Sequence, residues 1–447
     1  MIRSSSPVAL VALLSVPLAV TACKGDGGGA KAEPNVTEPS RDRGGPSGTP
    51  PADAAAAAAP AVDAAPTPAP LAGADFAAEA KLLFRIAACG NDAPLPPNVD
   101  AGVVERHCKR IREQAEAFRQ RYFVGGHDFF ATLVPDDAPD VVVYPFGGGD
   151  LISALVAFPD ATEITTISLE LAGDPRRITS LDKQRLDDSL SALRVEIGGL
   201  LQVGSNTSDN LSASQDNDLP AQVSSFLMGL AAGGYEPVGM RYFRLEPDGA
   251  IHYLEQAEID AIEADEAAAA ARKAGASKRK SSWTSPNFSE AFAHVEIRYR
   301  KLDDPPGVVR VHRHLGWNLS DDYLGKHPEL LRHLEAKGKV TMLTKGASYL
   351  LWSDAFKDIR DYMLTHLAWM LSDSTGIPPA FAKKAGMVQE TYGTFTGAFL
   401  PGAASTRHSA DFVELWAKNP RRRLPFRYGY VDNEKHPHLL VTKPASP

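Results

Sequence analysis

The chain carries chemistry-bearing residues in four places. After Val141-Val142-Val143-Tyr144-Pro145 comes Phe146-Gly147-Gly148-Gly149-Asp150, and Glu170 stands 21 residues past Gly149. A glycine turn behind a strand lets a ligand approach the backbone, and the next helix start favours an anion. An acid at the end of the following strand can accept both ribose hydroxyls. Gly147, Gly148, Gly149, Asp150 and Glu170 are therefore the ligand-binding candidates. Asp150 also suits the N-cap of that helix, where its charge disfavours a phosphate and hence a dinucleotide. A purely structural turn, with Glu170 solvated or paired with Arg176 or Arg177, is the competing interpretation. Lys345 and Tyr349, four apart, can share one side of a helical turn as catalytic Tyr/Lys pairs do, unless Tyr349 merely edges the core. Asp373 and Glu390 are candidates for a carboxylate pair in acid–base work. The Ser372–Pro379 stretch equally suits the end of one helix and the cap of the next, with Pro at its first position. His312 and His314 alternate on a strand and face one side, a spacing that suits a metal. No third ligand is identifiable, so no metal is assigned, and the pair also reads as core-edge or solvated histidines.

These residues need elements to hold them. The β-branched run Asp140–Tyr144 reads as a buried strand, Leu151–Phe158 as a helix and Glu163–Leu169 as the next strand, a β-α-β unit with parallel strands. Phe76–Ala88 and Val103–Tyr122 pattern as helices around a proline-rich loop, giving a helical hairpin over 75–125. Ser180 caps a long helix through Leu201, and Val223–Ala232 is another. Val238–Leu245 with Ala250–Leu254 forms a hairpin, as does Phe292–Lys301 with Val308–Leu315. Between them, 255–290 turns Ala-, Glu- and Lys-rich and reads as a surface insertion, helical then disordered. Ser320 caps a helix to Ala336, Val340–Leu343 is a strand, and Asp354–Leu371 and Pro378–Gly386 are helices. The fold class that follows is α/β: a mixed sheet with a Rossmann-like β-α-β unit and flanking helices, in one large domain over 75–447.

The glycine turn and Glu170 resemble the first motif of class I S-adenosylmethionine-dependent methyltransferases over some 30 residues. Gly147 and Gly149 match its first two glycines; the third position is Ile152, and Pro145-Phe146 intervenes between strand and turn. The resemblance implies a nucleoside-bearing cofactor, with Glu170 on its ribose. G-x-S-x-G, H-E-x-x-H, P-loop, C-x-x-C and EF-hand patterns are all missing, which removes the common exported hydrolases. A divergent hydrolase using Asp150, Glu170 or Asp373 stays open.

The N-terminus addresses location. Val8 to Val20 is an apolar run too short to span a bilayer, and it closes on Leu18-Ala19-Val20-Thr21-Ala22-Cys23. This resembles the lipobox of bacterial lipoproteins, which implies removal of 1–22 and lipidation of Cys23. Lys24 rather than Asp after the cysteine implies the outer membrane of a Gram-negative cell. Residues 23–74 are rich in Gly, Pro and Ala and too poor in apolar side chains to fold; they read as a tether reaching roughly 40 Å. Cys89 and Cys108, the two remaining cysteines, read as one disulfide in an exported chain. The formal charge is −8, or −9 once Arg3 leaves with the leader, which argues against nucleic acid as a partner despite Arg421-Arg422-Arg423. Tyr144–Asp150, Lys345–Trp352 and Asp373–Pro379, in this order behind a lipobox, resemble an uncharacterised family of bacterial envelope lipoproteins, which supplies a class and no mechanism. The expectation is a membrane-anchored envelope protein that binds a small molecule or a protein partner, its cofactor unknown, with a methyltransferase-like enzyme as the alternative.

Overall fold

The computed structural model describes residues 71–202, 218–273, 289–305, 307–395, 397, 403–426, 428 and 437–445. All lie within Ala69–Pro447, one of two units into which the chain divides. The leader, Cys23, the tether up to residue 70 and the 274–288 part of the insertion fall outside the described residues.

Helices α1 (Ala77–Ile86) and α2 (Ala101–Phe118) open the fold, and a π turn leads from α2 into α3 (Gly125–Ala131). A disulfide joins Cys89 to Cys108 and staples the end of α1 to α2. The adjacent His107 bridges Ala87 O and Arg194, so it is a packing residue of this hairpin. The β-α-β unit follows as β1 (Val141–Pro145), α4 (Leu151–Ala157) and β2 (Glu163–Ser168), with β1 and β2 parallel. Next come α5 (Lys183–Gln202), α6 (Ala221–Gly233), β3 (Tyr235–Leu245), β4 (Ile251–Tyr253), α7 (Gln256–Lys273) and β5 (His294–Lys301). The remainder is β6 (Arg310–Gly316), α8 (Asp321–Leu324), α9 (Glu329–Glu335), β7 (Val340–Thr344), α10 (Lys357–His366), β8 (Leu367–Ser372), α11 (Pro379–Lys384), β9 (Met387–Gly393), α12 (Ala403–Lys418) and β10 (His438–Pro444).

The strands form one mixed sheet of ten, in the order β4-β3-β5-β6-β2-β1-β7-β8-β10-β9. Its centre, β6-β2-β1-β7-β8, is parallel throughout. Counted along the chain these five run 3-2-1-4-5, the doubly wound order, with the switch point between β1 and β7. β10 is antiparallel to both β8 and β9 and closes one edge. β3, β4 and β5 extend the other edge as an antiparallel module inserted between β2 and β6. Two cores cover the two faces. One gathers Leu83, Val103, Leu155, Leu190 and Phe226 from α1, α2, α4, α5 and α6; the other gathers Leu324, Leu330, Ile359, Ala382 and Phe412 from α8 to α12.

A buried ion network ties the inserted module to the central sheet. Arg313 of β6 bonds Glu163 of β2 and, at 2.9 Å, Glu296 of β5; Lys337 bonds the other oxygen of Glu163. Tyr253 of β4 donates to Glu296 at 2.5 Å. Two carboxylates thus meet two cations, the condition under which buried charges are tolerated. Burial pushes the Glu163 carboxyl up, but Lys337 and Arg313 outweigh it and bring it down to about 2.

Three expectations are corrected. Leu367–Leu371 is not the tail of a helix but strand β8, buried between β7 and β10. A short apolar run that continues directly from a helix, with turn residues only after it, has no periodicity that separates the two states. Ser180 ends a 3-10 turn over Pro175–Ser180, its hydroxyl donating to Arg177 O, while Asp182 accepts from Arg185 N and caps α5. The helix after Ser320 is split into α8 and α9, with Pro328 at the start of the second. β9, β10 and α12 were not anticipated at all.

Candidate ligand-binding site

In a doubly wound sheet ligands sit outside the carboxyl ends of the strands, at the switch point. Here β1 ends in the glycine turn. Gly147 N–H donates to Ile167 O of β2 at 3.1 Å, and Asp150 N–H donates to Gly147 O at 3.0 Å. Phe146 and Gly148 take positive φ values of 62° and 51°. For a bulky side chain such as Phe146 this is a strained conformation, of the kind that persists only where surroundings enforce it. A Cβ on Gly149 would stand 2.6 Å from Gln222 Oε1 and 2.9 Å from Ser225 Cβ, so α6 closes directly on the turn. A Cβ on Gly148 would meet nothing within 4 Å, so the turn is open there.

Asp150 caps α4. Its Oδ1 accepts from Ser153 N at 3.3 Å and from Ser153 Oγ at 2.8 Å. Its Oδ2 accepts from Tyr144 OH at 3.0 Å and from Lys345 Nζ at 2.7 Å. Lys345 Nζ also donates to Ser153 Oγ at 2.8 Å. The lysine therefore does join the glycine turn, but its tyrosine is not Tyr349. Gly346 takes φ 66° and reverses the chain, leaving Tyr349 38% exposed on a separate 3-10 turn. The tyrosines beside Lys345 are Tyr144 and Tyr428, the latter's ring centroid 5.9 Å from Nζ. Asp373 approaches the same group from the end of β8: it and Asp150 both raise the already elevated pKa of Tyr144 and of Tyr428, burial being the first cause in each. Asp373 Oδ1 accepts from Thr375 N at 2.8 Å, within the loop that leads to α11.

Glu390 does not pair with Asp373. It lies on β9, with β10 between it and β8, so the two strands are about 10 Å apart. It pairs instead with Lys443 at 2.7 Å and Arg422 at 3.9 Å. Arg422, from the arginine cluster, is thereby committed to the sheet edge.

Glu170 is neither solvated nor ion-paired. It is 4% exposed, while Arg176 pairs with Asp174 and Glu263, and Arg177 with Asp218. Burial raises its carboxyl pKa; the neighbouring Ser168 hydroxyl and its own backbone offset part of the shift. Around the turn Gln222 Oε1 and Ser225 Oγ are buried without a hydrogen-bond partner, and Ser168 Oγ and Glu170 Oε2, close enough for the hydroxyl to lower the carboxyl's pKa, have none outside their own pair. Ser168 and Glu170 come from the exit of β2. Gln222 and Ser225 come from the first turn of α6, which is held there by Val223 N–H donating to Ala172 O at 3.1 Å. Buried polar atoms are ordinarily paired, and each one left unpaired costs about 1–3 kcal/mol.

His312 and His314 are core residues rather than metal ligands. Both are fully buried against Phe226, with ring centroids 4.4 and 5.0 Å away. His314 Nε2 donates to Glu170 O at 2.8 Å, which leaves Nδ1 to accept from Thr166 Oγ1 at 3.0 Å. Thr166 Oγ1 must then accept from His312 Nε2 at 2.9 Å, so His312 Nδ1 is bare and unpartnered. Burial lowers the pKa of both rings, that of His314 to about 4. The chain of bonds anchors the backbone at Glu170. Among the described residues no three His, Cys, Asp or Glu side chains stand close enough to hold a metal ion.

Sequence reasoning missed Tyr144, Ser153, Ser168, Gln222, Ser225 and Tyr428. Tyr144 and Ser153 flank the glycine turn and were within reach of it; Gln222, Ser225 and Tyr428 are distant in sequence and carry no local signal. No protein-family model, curated protein or solved structure matches the chain with significance.

Proposed function

We propose that the chain is an exported lipoprotein, anchored through Cys23 to the outer membrane, whose α/β domain binds a small nucleoside-type ligand without phosphate at the glycine turn. One observation carries the ligand reading. Glu170 Oε2 is buried at the exit of β2, next to the glycine turn's strand, with no partner beyond the adjacent Ser168 hydroxyl, and Gln222 Oε1 and Ser225 Oγ against the turn are unpartnered too. Acceptors such as Glu170 Oε2 and Gln222 Oε1 suit a ligand that donates, as ribose hydroxyls or a base amine do. A phosphate is disfavoured because the helix start is occupied by Asp150, and Lys345, the cation beside the turn, is bonded to that carboxylate. The lipobox-like Leu18–Cys23 and the disulfide support export. No helix among the described residues is long and apolar enough to cross a membrane.

Thermal-shift measurements with adenosine, S-adenosylmethionine and S-adenosylhomocysteine test the ligand. The reading expects a rise in Tm with at least adenosine that disappears in Glu170→Ala; no shift with any of the three sinks it. Cys23→Ser is expected to release the protein from membranes, and retention would refute the anchor.

A methyltransferase-like enzyme is the second reading. It is favoured by the doubly wound order with reversed β10 slotted in before edge strand β9, the order expected of class I methyltransferases. The exported location weighs against it, since S-adenosylmethionine is made in the cytoplasm. Stronger binding of S-adenosylmethionine than of adenosine would favour this enzyme.

A further inference from the structure

We infer that Tyr428 and Lys345 form a second subsite, on the β7–β8 side of the glycine turn, that takes an uncharged oxygen acceptor of the ligand. The inference rests on the ligand reading above and adds where the ligand's other end is held.

Tyr428 is 6% exposed and its hydroxyl has no hydrogen-bond partner. It lies close enough to Asp150 and Asp373 for both to act on its titration, and its ring faces the Lys345 ammonium. Asp150 is already saturated, with two bonds to each carboxylate oxygen. Lys345 has three donors, and Asp150 and Ser153 take two of them. The buried Tyr428 O–H and one N–H of the partly exposed Lys345 ammonium are thus left without an oxygen acceptor from the protein. Two donors without acceptors call for an oxygen lone pair. With two aspartates alongside, a carbonyl or hydroxyl is accommodated and a carboxylate is repelled. Where Glu170, Gln222 and the two serines offer mainly acceptors on one side of the turn, Tyr428 and Lys345 offer donors on the other. A ligand carrying both, as an uncharged nucleoside does, spans them.

A buried hydroxyl with no partner costs stability, so deleting it should not harm the fold. A hydroxyl that serves a ligand weakens binding when removed. Tyr428→Phe separates the two effects. Calorimetric titration of the wild-type and Tyr428→Phe chains with adenosine, paired with Tm values of the free proteins, is the experiment. The expected result is a Tm at or above that of wild type with affinity about tenfold weaker, the size of one buried hydrogen bond. Equal affinities in the two chains would overturn the subsite while leaving Glu170's role intact. A large loss of Tm would also overturn it, because the hydroxyl would then be a structural partner. Absence of adenosine binding by the wild type would overturn the ligand reading and this subsite with it.

Discussion

Glu170, buried where it could have been solvated, and Asp150, the N-cap its position suggested, both yield predictions. Glu170 has a raised pKa because burial disfavours its charged form. A carboxyl whose folded pKa lies above its unfolded value loses stability as pH rises past 4.5 towards the folded value. Glu170→Gln, which keeps the shape and removes the charge, is therefore expected to raise Tm at pH 7 to 8. The difference from wild type should shrink below pH 4.5, and thermal melts across that range would check it. Asp150 is the opposite case, since its carboxylate is fully bonded. Asp150→Ala removes an N-cap worth about 1 kcal/mol and strands the Lys345 ammonium; a loss of about 3–5 kcal/mol in urea unfolding is expected. At this scale Asp150 as an N-cap was legible, because the cap rule is local. Lys345's true partners were not, because they depend on Gly346 reversing the chain and on Tyr428 arriving from 83 residues downstream.

The elements show the same division between local and distant causes. β1, α4 and β2 were readable from a Val-rich run, an N-cap and an Ile/Thr run, and their parallel pairing followed. β6 was readable as half of a hairpin with β5, yet its other edge pairs with β2 and makes it the third strand of the doubly wound sheet. That second pairing leaves no mark within the hairpin itself. β8 was misread as helix because Leu367, Ala368, Trp369, Met370 and Leu371 are mostly good helix formers, and only burial between β7 and β10 makes them a strand. The joint between the inserted module and the central sheet rests on Arg313. Arg313→Leu leaves Glu163 and Glu296 buried with too little positive charge, so a loss of about 3–5 kcal/mol is expected. Replacing all four charged members, Arg313, Lys337, Glu163 and Glu296, with apolar residues should recover much of that loss; failure to do so would mean the network is needed for strand pairing and not only for neutrality.

For the whole molecule, acid sensitivity is built into the two cores. His107, His314 and His333 are lowered to about 4 and His294 to about 3, and His312 is lowered as well, burial being the first cause in all five. Between about pH 4 and 6.5 the unfolded chain binds protons at these rings and the folded chain does not. Stability therefore rises with pH across that window, by up to about 1.4 kcal/mol per unit for each histidine. Urea midpoints should climb from pH 4.5 to 6.5 and level off above 7; a flat profile would mean these rings are not neutral in the folded state. The sheet places one glycine turn, one buried acid and one lysine–tyrosine group at the same strand ends, and the account stands or falls on whether a ligand enters there. Isothermal titration of adenosine into the wild-type and Glu170→Ala chains, side by side, is the most direct measurement. The account predicts saturable heat with the wild type and an affinity at least tenfold lower in the variant. Equal binding by both, or no binding by either, would contradict it.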